Sequence, residues 1–205
     1  MTTWDILICH IPHRHDKLCA LLKELGSQMR PGVGVRVYRD NLVASYGEKC
    51  ATLLASSSAD YVSYIDDDDM VAPSYVDRVL AALAEGPDYV GYPVLWTIDA
   101  VPQLPVEHSL RHGRWENLPD MLVRDISEKN PLRRELAELG WWDGGYAAEQ
   151  QWAYWVRSTG RVKTEVWIPE PMYYYQYDST DSFTVKKVPL PVMHDLPEYP
   201  WLTVL

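Results

Sequence analysis

The chain predicts an α/β fold with a mostly parallel central sheet and flanking helices. Two observations carry this. Short apolar runs rich in β-formers alternate with segments of helical periodicity through the first hundred residues. That β-α-β-α-β-α rhythm implies parallel strands joined by right-handed crossovers. Finally, four consecutive aspartates, Asp66 to Asp69, follow directly on one of the apolar runs. In open α/β sheets the carboxyl end of a strand is where ligands bind.

The elements follow in order. Asp5 to Cys9 reads as the first strand, and His10-Ile-Pro-His-Arg-His as the loop after it. Asp16 is placed to cap the next helix, whose apolar face is Leu18, Leu21, Leu22 and Leu25 and whose end falls at Gly26. The three histidines of the loop have no cysteine or carboxylate at ligand spacing, so a polar loop is the better reading than a metal site. Arg14 is a cation on a strand–helix turn, where it can face a phosphate. Val35 to Arg39 is the second strand, entered through Pro31-Gly32-Val33-Gly34. Ser45 caps a third segment, on which Cys50, Leu53 and Leu54 form one apolar face and Lys49 lies in the first turns. Tyr61 to Ile65 is a buried strand. Pro73 suits the start of the following helix, with Val76, Val79, Leu80 and Leu83 at helical spacing.

Beyond this the signals weaken. Tyr89 to Trp96 reads as a strand and Thr97 to Trp115 as surface loop. Arg111 to Arg134 holds six basic residues against four acids and is the one mildly basic region; it flanks an anionic ligand or is a solvated face. Asn130 opens a short helix ending at Gly140, and Trp141-Trp142-Asp143-Gly144-Gly145 is a turn. Ala147 to Ser158 is helical, with Glu149 and Gln150 in its first turn. Val166 to Tyr177 supplies a last strand or two before a Pro-rich tail containing His194.

The aspartate cluster sits where strand turns into helix. Four adjacent like charges at the end of a buried strand call for a compensating cation, and a hard divalent metal with oxygen ligands is the natural one. A solvated acidic turn is the plain alternative. An EF-hand is excluded by spacing: counted from Asp66, the third ligand position is Met70 and the obligatory glycine is Val71. A phosphatase-type Asp-x-Asp-x-Val (Asp67, Asp69, Val71) fits locally, but such a nucleophile normally opens its domain, and here two strand–helix units come first. There is no GxGxxG after the first strand and no GxxxxGK[ST], so Rossmann and P-loop chemistry are unsupported.

The remaining reading is Asp-x-Asp-Asp with a proline four residues on. It resembles the motif of GT-A fold glycosyltransferases, family 2 in particular. The resemblance implies a GT-A domain spanning residues 1–205, with a nucleotide-binding half at 1–100 and an acceptor-side half and tail at 101–205. It implies transfer of a sugar from a nucleotide-diphosphate donor, a UDP-sugar first, to an acceptor hydroxyl. It also implies a Mn²⁺ or Mg²⁺ held by Asp66 and Asp68, with Asp66 alternatively on the ribose. Ile11 to Arg14 stands where the family's base-wrapping loop lies, Asp40 where an aspartate reads the base, and Lys49 where a basic residue approaches the diphosphate. Family members often carry Arg-Asn where this chain has Lys49-Cys50. Glu149-Gln150 stands in place of the Glu-Asp pair that supplies the catalytic base. Gln150 is an amide, so Glu149 is left as the base of an inverting displacement. His194 is a further candidate metal ligand.

A metal-dependent phosphotransferase using Asp67 and Asp69, and a noncatalytic sugar-nucleotide or glycan-binding module, remain as other classes. The acceptor is open: a saccharide, a protein or a modified nucleic-acid base.

Composition bounds the partners. At 205 residues, 47% hydrophobic and 23% charged, the chain is ordinary for one globular domain with a sizeable core. A net charge of -10 argues against a nucleic-acid backbone or an anionic membrane surface as partner. Cys9, Cys19 and Cys50 lack CxxC spacing, and with no signal peptide they read as reduced thiols of a cytoplasmic protein. No apolar run approaches the length of a membrane span. Aromatic usage is lopsided, with 9 Trp and 14 Tyr against 1 Phe, which suits either stacking on sugars or core packing.

Overall fold

The computed structural model describes residues 1–142, 148–180, 189–190 and 192–205. The Asp143-Gly144-Gly145 turn and Ala147 lie outside the described residues. The parallel core is built first: β1 (Trp4–His10), α1 (His15–Gln28), β2 (Val33–Arg39), α2 (Tyr46–Ser56) and β3 (Tyr61–Tyr64). β1 pairs in parallel with β2 on one side, Trp4 opposite Val33, and with β3 on the other, Trp4 opposite Tyr61. Both faces of β1 are buried. Trp4, Ile6 and Ile8 join the core under α1 and under α3 (Tyr75–Leu83), while Leu7 joins the core under α2. This is the period-two alternation of a strand in a sheet covered on both sides.

Then come β4 (Met70–Val71) and the long β5 (Tyr89–Ile98), the latter the organiser of the second half. β5 runs antiparallel to β6 (Val101–Pro102) and β7 (Val106–His108). β8 (Glu116–Asn117) and β9 (Leu122–Arg124) extend that layer. Hence the stretch from Thr97 to Trp115, expected as irregular loop, carries ladder pairs with β5. β11 (Glu165–Trp167) lies parallel to the inner part of β5, and β12 (Tyr173–Tyr177) parallel to its outer part and antiparallel to β4.

Three local expectations fail for tertiary reasons. β10 (Leu132–Arg133) is a strand inserted antiparallel between β3 and β5, with Leu132 opposite both Val62 and Tyr89. Only α4 (Arg134–Ala137) of the helix expected from Asn130 to Gly140 forms. Open ladder positions on two neighbouring strands outweigh helix propensity here. In α1 the N-cap is Arg14, which makes no side-chain cap, and Asp16 sits inside the first turn. That helix also runs past Gly26 to Gln28. A Cβ at Gly26 would stand 3.0 Å from the Trp201 ring, so the glycine serves close packing rather than termination. Finally, the tail contributes β13 (Leu202–Val204), which adds in parallel to the outer edge of β2. α5 (Ala148–Ser158) packs Trp152, Ala153 and Val156 into the core under α2, and Ala148 is buried as well.

Candidate functional site

β1, β2 and β3 point their carboxyl ends at one edge of the sheet, and the charged residues gather there. The capping box of α2 is complete: Glu48 N–H donates to Ser45 Oγ (3.2 Å) and Ser45 N–H to Glu48 Oε2 (2.7 Å). It fixes the first turn of α2, on which Lys49 turns inward to only 4% exposure. Lys49 forms an ion pair with Asp40 at the end of β2, and its ammonium is 3.5 Å from the His10 carbonyl. Asp40 also accepts from the backbone of Val43 (2.7 Å) and Ala44 (2.6 Å). Burial works to raise the Asp40 carboxyl, but the Lys49 hydrogen bond and these amides hold it below the usual carboxylate range.

The four aspartates divide into two pairs. Asp67 and Asp69 turn inward, at 2% and 1% exposure. Asp67 Oδ2 lies 2.8 Å from His10 Nδ1 and accepts from Ile11 N–H at 3.0 Å, and Oδ1 accepts from Arg14 at 3.0 Å. Asp69 accepts from the Tyr173 hydroxyl (2.6 Å) and the Gln176 amide (2.8 Å), so β12 buttresses the loop. Both inward carboxylates are buried and hydrogen-bonded to the protein itself, which weighs against the aspartyl-nucleophile alternative. His10, expected in a polar loop, is the last residue of β1 and is buried against Asp67.

Asp66 and Asp68 occupy the open side. Asp68 receives a 3.0 Å bond from Arg14, which bridges it to Asp67. Burial, and after it the carboxylates of Asp66 and Asp67, push Asp68 up to about 7 against the pull of Arg14. Asp66 is paired with Lys129, whose ammonium also lies 3.3 Å from Glu128 Oε1. Glu128 is buried, and burial raises its carboxyl to about 7 although Lys129 opposes the shift. Glu149, in the first turn of α5, interacts electrostatically with both Lys129 and Glu128.

The geometry therefore links the residues singled out in the sequence through shared partners. Asp40 meets Lys49, Lys49 approaches His10, Arg14 spans Asp67 and Asp68, and the Asp66 side reaches Glu149 through Lys129. The His194 ring lies 5.4 Å from that of His15, and its carbonyl is bonded by Arg39. Trp142 packs among Tyr46, Tyr64 and Trp152, whereas Trp141 is 69% exposed. Glu128, Lys129 and Tyr173 were missed by sequence reasoning. The Glu-Lys dipeptide carried no motif, and the sequence marked it only as part of the mildly basic region from Arg111 to Arg134.

Among the described residues, no group of three or more His, Cys, Asp or Glu gathers into a metal-holding cluster. An all-oxygen donor set of one or two carboxylates still fits Mg²⁺ or Mn²⁺ when phosphate oxygens complete the shell. Burial is the first cause of the raised Asp68 carboxyl, and the neighbouring carboxylates of Asp66 and Asp67 add to it; that added negative charge is what such an ion would relieve.

No family model matches the sequence, and no curated protein matches it. Solved structures do. Residues 1–349 of the S. aureus protein TarS superpose with TM-score 0.66 at 13% identity, covering 85% of this chain and 60% of that one. The same fragment in complex with UDP-GlcNAc gives TM-score 0.66 at 13% identity, with 85% and 58% covered. In complex with UDP it gives 0.65 at 13%, with 85% and 60% covered. The chain thus spans about 60% of the length of these fragments. Identity this low shows the fold alone: the mostly parallel central sheet flanked by helices expected from the sequence is the one this chain adopts.

Proposed function

We propose that the protein is a metal-dependent glycosyltransferase that moves a sugar from a UDP-sugar donor to an acceptor hydroxyl with inversion. The observation that carries this reading is the division of the aspartate cluster, Asp67 and Asp69 locked inward and Asp66 and Asp68 left at the open carboxyl edge of the parallel strands. The fold it shares with TarS, a protein solved with UDP-GlcNAc and with UDP, supports the donor class.

In this reading Asp40 meets the nucleobase, and Lys49 and Arg14 face the diphosphate. Asp68, with Asp66 beside it, would hold Mn²⁺ or Mg²⁺. The ion, when bound, supplies positive charge to the departing diphosphate. Glu149 accepts the proton of the acceptor hydroxyl. That oxygen forms the new glycosidic bond as the sugar–phosphate bond breaks, and the electron pair leaves on the diphosphate. Direct displacement inverts the anomeric centre.

A thermal-shift panel of nucleoside diphosphates and nucleotide sugars, with and without Mn²⁺, tests the reading. UDP or a UDP-sugar should raise Tm, more so with Mn²⁺, and Asp68→Asn should abolish the metal-dependent part while the fold survives. A protein indifferent to every nucleotide would end the proposal. Donor binding without UDP release in the presence of acceptor pools would indicate a binding module instead.

A further inference from the structure

Glu128 and Lys129 sit on a segment that is bolted down by backbone bonds. Tyr64 N–H donates to the Glu128 carbonyl (2.8 Å), the Tyr92 hydroxyl to the Lys129 carbonyl (2.7 Å), and Ser127 N–H to the Tyr89 hydroxyl (3.2 Å). Asn130 Nδ2 reaches the Val90 carbonyl at 3.1 Å. The segment leads into β10, between β3 and β5, so it is as rigid as the sheet. From this base the Lys129 ammonium is held 2.5 Å from Asp66 Oδ2 and 3.3 Å from Glu128 Oε1. The side chains of Lys129 and Glu128 are 14% and 2% exposed. Glu128 Oε2 is taken by the Ser127 hydroxyl at 3.2 Å. Asp66 is held from its other side, where its N–H donates to the Tyr173 hydroxyl at 3.1 Å.

We propose that Lys129 is a positioning residue of the donor site. Seated between Glu128 and Asp66, its ammonium ties up the Asp66 carboxylate, so that of the two outward aspartates Asp68 alone meets a divalent cation. Asp66 and Lys129 then present a fixed, neutral pair to the donor. The physical reason is exclusion by charge: a dication approaching Asp66 would have to displace a buried ammonium that Glu128 holds in place, and would be repelled by it. The sequence motif by itself leaves Asp66 as either a metal ligand or a ribose partner; the buried lysine argues against the first. The metal half of this inference rests on the donor reading above, whereas the Lys129–Asp66 pairing does not.

Two measurements test the two halves separately. In the first, the protein without ligands is acylated with an amine reagent and the lysines are followed by peptide mass spectrometry. Lys129 should react more slowly than the exposed Lys23, and Asp66→Asn and Glu128→Gln should each speed it. Reaction at the rate of Lys23, or protection unmoved by both substitutions, overturns the pairing. In the second, Mn²⁺ binding is measured by calorimetry in the presence of UDP. Asp66→Asn should leave the Mn²⁺ affinity within about threefold, well short of the roughly 10- to 100-fold losses that follow loss of groups supporting a metal. Lys129→Met should tighten Mn²⁺ by freeing Asp66, the double variant with Asp66→Asn should lose that gain, and Lys129→Arg should behave as wild type. A loss of about tenfold or more in Asp66→Asn alone would make Asp66 a ligand and overturn the proposal. A wild-type protein that binds neither UDP nor Mn²⁺ overturns the donor reading and the metal half with it, while the labelling rates still decide whether Lys129 holds Asp66.

Discussion

Asp40 and Lys49 form a pair in which each depends on the other for burial: their side chains are 11% and 5% exposed. Removing one partner of a buried pair leaves the other desolvated and uncompensated. Asp40→Ala should therefore lower stability by about 3 kcal/mol, seen in urea unfolding, and weaken UDP binding in the same protein. Lost stability with unchanged UDP affinity would make the pair a structural clasp. Glu149 makes the opposite case, because its side chain is half-buried and stands in the first turn of a helix. Glu149→Gln removes a proton acceptor at constant size. Transfer should fall by roughly 10²- to 10⁴-fold with donor affinity intact. The helix should lose only a few tenths of a kcal/mol from the weakened dipole interaction. Near-normal transfer would place the base elsewhere or point to retention, which the product's anomeric configuration decides.

At the scale of elements, α2 ties the fold to the site. Its capping box orients the turn on which Lys49 stands, and its Cys50 sulfur lies 3.6 Å from that of Cys9 on β1, both thiols free. Ser45→Ala removes the acceptor for Glu48 N–H and should cost about 1 kcal/mol. Because Asp40 independently holds the Val43 and Ala44 amides, the turn should survive. UDP affinity should then change little, in contrast to Asp40→Ala. A parallel loss of UDP affinity in Ser45→Ala would show that the cap itself positions Lys49.

For the whole molecule, the surplus of tyrosine over phenylalanine has a structural cause. Tyr61, Tyr64, Tyr92 and Tyr173 are buried rings whose hydroxyls donate to Pro87, Cys50 and Lys129 carbonyls and to Asp69. Each ring fills core while its tip bolts a loop. Among the described residues no helix is long and apolar enough to cross a membrane. The pH response of the fold should show His108, whose Nδ1 lies 2.9 Å from the Asp125 carbonyl. Burial pushes this imidazole down to about 4, against the Asp125 hydrogen bond that favours its charged form. A group whose folded state refuses a proton that the unfolded chain takes up near 6.5 adds stability at higher pH and loses it as pH falls. Relative to His108→Gln, wild type should lose up to about 1.4 kcal/mol per pH unit between about 6.5 and about 4. Urea unfolding of both proteins across that range checks it; a pH-independent difference would mean that His108 titrates normally.

What neighbouring residues encode was legible in the sequence. The alternation of β1, α1, β2, α2, β3 and α3, the Ser45 cap, and the place of the aspartates after a buried strand all follow from local periodicity and turn chemistry, which a short window contains. Tertiary structure decided the rest. Gly26 stays within α1 because Trp201 from the tail packs on it, and Leu132 becomes strand because β3 and β5 leave it a ladder position. The inward turn of Asp67 and Asp69 depends on His10, Arg14 and Tyr173, and the pairing of Asp66 depends on Lys129. Four identical adjacent side chains carry no local signal to tell them apart. Their different fates are set by which distant strands and loops the sheet register brings beside each of them, and that information is spread over the whole chain.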